Sequence, residues 1–133
     1  MADITFEVKA RIGNKATGRL KWPAKNLDSA AISGPHGNGT LPNGVYSAPR
    51  NKLLDKTDAP YCDADGNCWM QALDNAYDRT DLGIHPDGGV SGTLGCIGVL
   101  DSDTSNWYEA FKSRPSGSVL SLVVKDVESI ESP

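Results

Sequence analysis

The chain has no long hydrophobic run, no basic tract and few histidines, and each shortage closes off a class of function. No stretch approaches the roughly 20 consecutive apolar residues needed to cross a bilayer, so no membrane span is expected. The first ten residues alternate apolar and polar and carry Asp3 and Glu7. A secretory signal needs a basic start and a continuous apolar stretch, so none is expected here. The protein then works in the cytoplasm, leaves by another route, or is a form whose signal has been removed. Thirteen lysines and arginines face 17 aspartates and glutamates, a net charge of −4. A broad electrostatic grip on nucleic acid or anionic membrane is therefore not expected. Basic residues are denser before residue 57 but form no run of five, which reads as a solvated face.

Three cysteines are an odd count. Cys62 and Cys68 lie close together and Cys96 stands alone, so the simplest arithmetic is one local disulfide and one free thiol. A disulfide would point to an oxidising compartment. Zinc is disfavoured because the two neighbouring cysteines are five residues apart, beyond the usual two to four. Asp63-Ala64-Asp65-Gly66-Asn67 has a calcium-loop look, but its glycine is at the fourth position and no glutamate follows at the twelfth. A hairpin turn is the better reading, and no metal or cofactor is expected.

What the chain has in quantity is glycine and proline, 14 and 8 in 133 residues. They are scattered, which favours short strands joined by turns over long helices. Ile4, Phe6 and Val8 alternate, predicting a half-buried strand over residues 3–10. A turn around Gly13 leads into a second strand over 16–22, then a loop over 25–29 and a short strand over 30–33. Residues 34–39 break the chain, and Leu41 to Gly44 turns it into a strand at Val45-Tyr46-Ser47. Residues 50–60 read as irregular and 61–69 as a hairpin with Asp65-Gly66 at its turn. Residues 69–73 fit strand or helix equally. Leu82-Gly83-Ile84 is a short strand before His85, turned sharply by Pro86-Asp87-Gly88-Gly89.

One helix is expected at residues 104–112, with Asp103 as its N-cap and Trp107, Ala110 and Phe111 on one face. Residues 118–125 read as a buried closing strand. The sum is a single mainly β domain over 1–133 with one short helix. Three tryptophans could suggest a sugar-binding platform, but Trp107 falls on the helix's inner face, which leaves Trp22 and Trp69 open to that reading.

The chemistry gathers at Thr93-Leu94-Gly95-Cys96-Ile97-Gly98. Glycines on both sides of a cysteine let the backbone turn tightly and let a substrate approach main-chain amides. There a thiolate can attack a carbonyl while the amides hold the oxyanion. A thiol with a pKa of about 8.5 needs help at neutral pH. His85, eleven positions upstream, can give it if the two lie on neighbouring strands. The alternative is a buried small hydrophobe beside a surface turn histidine, and spacing alone does not separate the two.

His85 followed by Thr93-x-Gly95-Cys96 resembles the histidine, Ser/Thr-x-Gly-Cys pattern of the L,D-transpeptidase catalytic domains that act on peptidoglycan. The Gly/Pro-rich segment from Gly37 to Tyr46 looks like a second family element, so the resemblance covers roughly residues 30–100. It is closest to the compact branch found in antibacterial effectors and phage proteins. The resemblance implies a β-rich fold of sandwich or barrel-like sheets and a metal-free thioester mechanism. Cys96 would be the nucleophile and His85 its base. The amides of Gly95 and Cys96 would form the oxyanion hole, with Thr93 in support. The Asp87 carboxylate, or a carbonyl of the Pro86–Gly88 turn, would orient the imidazole.

Tyr46, Arg79 and His36 are candidates for the substrate groove, Arg79 because stem peptides carry carboxylates. The implied partners are peptidoglycan stem peptides, with an immunity protein or delivery machinery behind an effector. The implied place of action is the bacterial cell wall, reached by injection, non-classical export or phage-mediated release. Many family members carry a histidine at the position of Leu94 and an arginine or asparagine at that of Gly98. Their replacement favours hydrolysis over cross-linking. Exchange, or a non-catalytic wall-binding module of the same fold, are the alternatives.

Overall fold

The structure, a computed structural model, describes residues 2–34, 40–58, 61–74, 82–87, 96–100 and 104–127. The alternation at the N-terminus forms β1 (Ile4–Ile12), which turns back through Gly13 (φ +61°) into β2 (Lys15–Trp22). Ile4, Phe6 and Val8 face inward with Ala16, Leu20 and Trp22. The β1–β2 register slips between Val8 and Ala10, where β1 bulges. Opposite the slip, a Cβ on Gly18 would lie 1.9 Å from the Glu7 carbonyl oxygen, so only glycine fits this close backbone approach.

The next strand starts earlier than its sequence suggests. A 3-10 turn at Pro23–Lys25 ends on Asn26 in the left-handed region (φ 56°), and β3 (Leu27–Ser33) begins at once. The loop expected at residues 25–29 is therefore corrected. Its strand pattern is masked because two inward positions are serines. Each is paired: the Ser29 hydroxyl accepts from Trp107 Nε1 (2.8 Å), and the Ser33 hydroxyl accepts from the Leu41 amide (2.8 Å). Buried polar groups are tolerated on these terms.

β4 (Gly44–Pro49), β5 (Leu53–Asp55), β6 (Trp69–Ala72), β7 (Gly83–Pro86), β8 (Ile97–Val99) and β9 (Val119–Asp126) complete one sheet. Its order is β4-β9-β1-β2-β3-β8-β7-β6-β5. The pairs β1–β9 and β7–β8 are parallel and the others antiparallel. The ends of the sheet approach each other. Ser47 and Asp74 exchange two backbone hydrogen bonds (2.9 and 2.8 Å), and Gln71 Nε2 donates to the Pro49 carbonyl (2.8 Å). The result is a nearly closed barrel with one α-helix among the described residues, a mainly β fold as expected. β9 is not the closing strand predicted: it lies between β4 and β1, and only Leu122 and Val124 are buried in it, while Val119 is 58% exposed. Residues 50–60, expected to be irregular, include a 3-10 turn at Arg50–Lys52 as well as β5.

The helix α1 (Thr104–Lys112) has the predicted bounds, while its predicted N-cap Asp103 lies outside the described residues. Trp107 and Phe111 are fully buried among Trp22, Trp69 and Tyr108, with ring centroids 5.1 to 6.2 Å apart. Burying a side chain such as Phe111 stabilises the fold by about 3 kcal/mol. Trp22 and Trp69 are also core residues, which leaves no exposed tryptophan platform.

Arg114 closes the helix end. Its guanidinium donates to the carbonyls of Phe111 (2.8 Å) and Ala48 (2.6 Å) and to Gln71 Oε1, tying α1 to β4 and β6. Burial, with the charge of Arg50 second, lowers its pKa to about 10, so it stays charged at neutral pH.

Candidate functional site

β7, which carries His85, and β8, which follows Cys96, are among the short strands of the sheet. In the parallel β7–β8 pair, Ile84 lies opposite Ile97, His85 opposite Gly98 and Pro86 opposite Val99. Ile84, Ile97 and Val99 belong to the core, so their alternates His85 and Gly98 face outward from the barrel. Cys96 immediately precedes β8, in a bend, and is buried. The parallel pairing places it two residues before Gly98, the partner of His85.

That patch of the outer face is nevertheless covered. His85 is 5% exposed and Cys96 7%, and Met70 and Ile32 beside them are buried too. The register explains the company they keep: Ile32 pairs with Gly98 across β3–β8, and Met70 precedes Gln71, the partner of Ile84. Gly83 completes the patch, because a Cβ there would meet Met70 Cε at 2.5 Å and the Gln71 carbonyl oxygen at 2.7 Å. Gly98 leaves the position opposite His85 without a side chain.

His85 Nδ1 lies 2.6 Å from the carbonyl oxygen of Pro86. A carbonyl can only accept, so Nδ1 carries the proton and Nε2 keeps its lone pair. Of the two orienting groups expected from sequence, the carbonyl is the one the imidazole uses. Asp87 instead extends the strand pair, its amide donating to the Val99 carbonyl (3.0 Å). Burial pulls the His85 pKa below its usual 6.5, and the charge of Lys56 adds to this, outweighing the bond to Pro86 that acts the other way. The imidazole is neutral at pH 7, the form a general base requires.

Two neighbours were not found from sequence. The Tyr61 ring meets the His85 ring edge-on at 5.0 Å, and the Lys56 ammonium sits 4.7 Å over the Tyr61 ring. Neither carries a motif; only their place after β5 and beside Cys62 brings them here. Cys62 and Cys68 form a disulfide across an antiparallel bridge, and so are not thiolate ligands for zinc. The hairpin between them is organised by Asp63, which accepts from the Asp65 and Asn67 amides (3.0 and 2.9 Å) and from Thr104 Oγ1 on α1. Burial raises the Asp63 pKa, but these hydrogen bonds outweigh it and hold the carboxyl below its usual 3.8.

Tyr46 is corrected as a groove candidate. It is buried on the inner face of β4, with its hydroxyl donating to the Pro42 carbonyl (2.6 Å). An aromatic ring there fills the core. Thr93, Gly95, Arg79 and His36 lie outside the described residues. Among the described residues, no group of three or more His, Cys, Asp or Glu could hold a metal ion, and no helix is long and apolar enough to cross a membrane.

No protein-family model matches the chain, and no curated protein or solved structure matches it. The site has to be argued from its own residues.

Proposed function

We propose that the chain is a peptidoglycan-directed cysteine enzyme of the L,D-transpeptidase type, hydrolysing stem peptides through a Cys96 thioester. The observation that carries this reading is the parallel β7–β8 register, with His85 opposite Gly98 and Cys96 two residues before it. The neutral, Pro86-oriented imidazole adds to it. His85 Nε2 takes the thiol proton as Cys96 Sγ bonds to the substrate carbonyl carbon. The carbon–nitrogen bond then breaks, and the imidazolium returns the proton to the leaving amine. Water, deprotonated by the same imidazole, attacks the thioester and releases the acid and the thiol. Gly98 favours water as the acceptor, since it presents no side chain opposite His85 to hold a second peptide. The disulfide supports action in an oxidising compartment such as the cell envelope.

The test is digestion of purified muropeptides, with products read by mass spectrometry. The wild-type chain should shorten stem peptides, and Cys96→Ala should lower the rate by at least about a thousandfold, as expected for loss of a nucleophile. Equal products from both proteins would sink the reading. Cross-linked rather than shortened products would make the enzyme a transpeptidase.

A further inference from the structure

We infer that Lys56 is the substrate-carboxylate subsite of this centre, held beside His85 by the ring of Tyr61. The inference rests on the cysteine-enzyme reading above and gives it a substrate feature: a stem peptide that presents a carboxylate next to the attacked bond. The contacts run in series. The ammonium lies 4.7 Å from the Tyr61 ring centre, and that ring lies 5.0 Å from the His85 ring. Even if the two contacts were collinear, the ammonium would be on the order of one Debye length from the imidazole at physiological ionic strength.

Among the described residues no carboxylate pairs with this ammonium. Arg11, Arg19, Lys21 and Lys52 each have a carboxylate within 3.0 Å; Lys56, like Lys112, is in no ion pair among the described residues and lies over an aromatic ring. The chain is acidic overall, with 17 carboxylate residues, so this is not a shortage of partners. The ammonium rests instead on an aromatic face, which orients it without neutralising it. Its backbone is fixed as well. The Lys56 amide donates to the Cys68 carbonyl (3.3 Å), the Tyr61 amide donates to the Asp58 carbonyl (2.9 Å), and the disulfide closes the segment behind them. A fixed, half-buried and unpaired ammonium at a reaction centre is suited to receive a carboxylate from the substrate. Sequence assigned that role to Arg79; the structure brings Lys56 to the histidine.

The carboxylate has two sources in a stem peptide, the C-terminal α-carboxylate or the side-chain carboxylate of the diamino acid. Three synthetic tetrapeptides separate them: a diaminopimelate free acid, its C-terminal amide, and a lysine-containing free acid. Lys56→Met should raise KM about tenfold on the first, the scale of one charge-assisted hydrogen bond, with kcat nearly unchanged. Lys56→Arg should recover most of the loss. If the penalty disappears on the amide, the terminal carboxylate is bound, and if it disappears on the lysine peptide, the side-chain one is. An unchanged KM, or an equal penalty on all three peptides, overturns the Lys56 assignment while the Cys96 reading stands. If the wild-type chain cleaves none of the three, both fall together.

Discussion

The two arcs of the barrel are built on different terms. The five strands β4, β9, β1, β2 and β3 run for six to nine residues and pair along most of their length. Their outer face is solvated and carries ion pairs, Arg19 with Asp28, Lys21 with Glu7 and Arg11 with Asp126. Such exposed pairs each contribute up to about 1 kcal/mol. The strands β5 to β8 run for only three or four residues. On β6 and β7 the outward Met70 and His85 are buried, as is Cys96 just before β8, while β5 leaves Leu54 exposed. Long ladders position the short strands. The short strands have less ladder and so less local stability, and His85 lies on one of them.

The largest break in this comparison is Gly18→Ala in the long arc. The added methyl would press into the Glu7 carbonyl and the Val8 Cα, both backbone, so β1 and β2 must part. We expect a loss of about 3 kcal/mol in chemical denaturation, the upper range for overpacking. The damage lies far from the histidine, so KM on stem peptides should be unchanged at temperatures where the variant stays folded. A loss below about 0.5 kcal/mol would mean that the bulge relaxes freely.

The same division decides what sequence could tell. β1, β2 and α1 were legible because Ile4, Phe6, Val8, Trp107 and Phe111 keep the period of their elements, and each is buried in the core. β3 was cut short because Ser29 and Ser33 occupy inward positions, and hydrogen bonds to Trp107 and Leu41 justify them only in three dimensions. β9 looked uniformly buried from its valines and leucines, but alternation leaves half of them outside. At the candidate site, the pairing of Cys96 with His85 rests on residue type and glycine context, while the Pro86 carbonyl beside His85 was legible from the turn. Lys56 and Tyr61 were not, since their closeness to His85 depends on β5 pairing with β6 and β6 with β7.

A smaller effect falls on the short arc. Replacing Cys62 and Cys68 together with serine opens a loop with a sequence separation of 6. Chain entropy for so short a loop predicts a loss of about 2 kcal/mol. The hydrogen bonds to Asp63 remain and compete to keep the hairpin in place. If they suffice, the double variant loses stability but keeps the Tyr61–His85 contact, and KM stays put. If the disulfide is what holds Tyr61, KM should rise in parallel with that of Lys56→Met. Thermal melting and peptide kinetics on the same samples separate the two outcomes.

The smallest effect is a slope in pH. The folded chain keeps His85 neutral because burial, aided by Lys56, lowers its pKa, while the unfolded chain protonates it near 6.5. Below pH 6.5 the unfolded state therefore binds more protons than the folded one, and stability falls as pH drops toward the folded value. One proton sets the limit at about 1.4 kcal/mol per pH unit. The Asp63 carboxyl, held below 3.8, contributes stability that is present above that value and lost only as pH falls through its lowered pKa. Urea denaturation between pH 7 and 5 should show this slope in the wild-type chain and a weaker one in His85→Gln. An identical slope in both would assign the acid sensitivity to groups other than the imidazole.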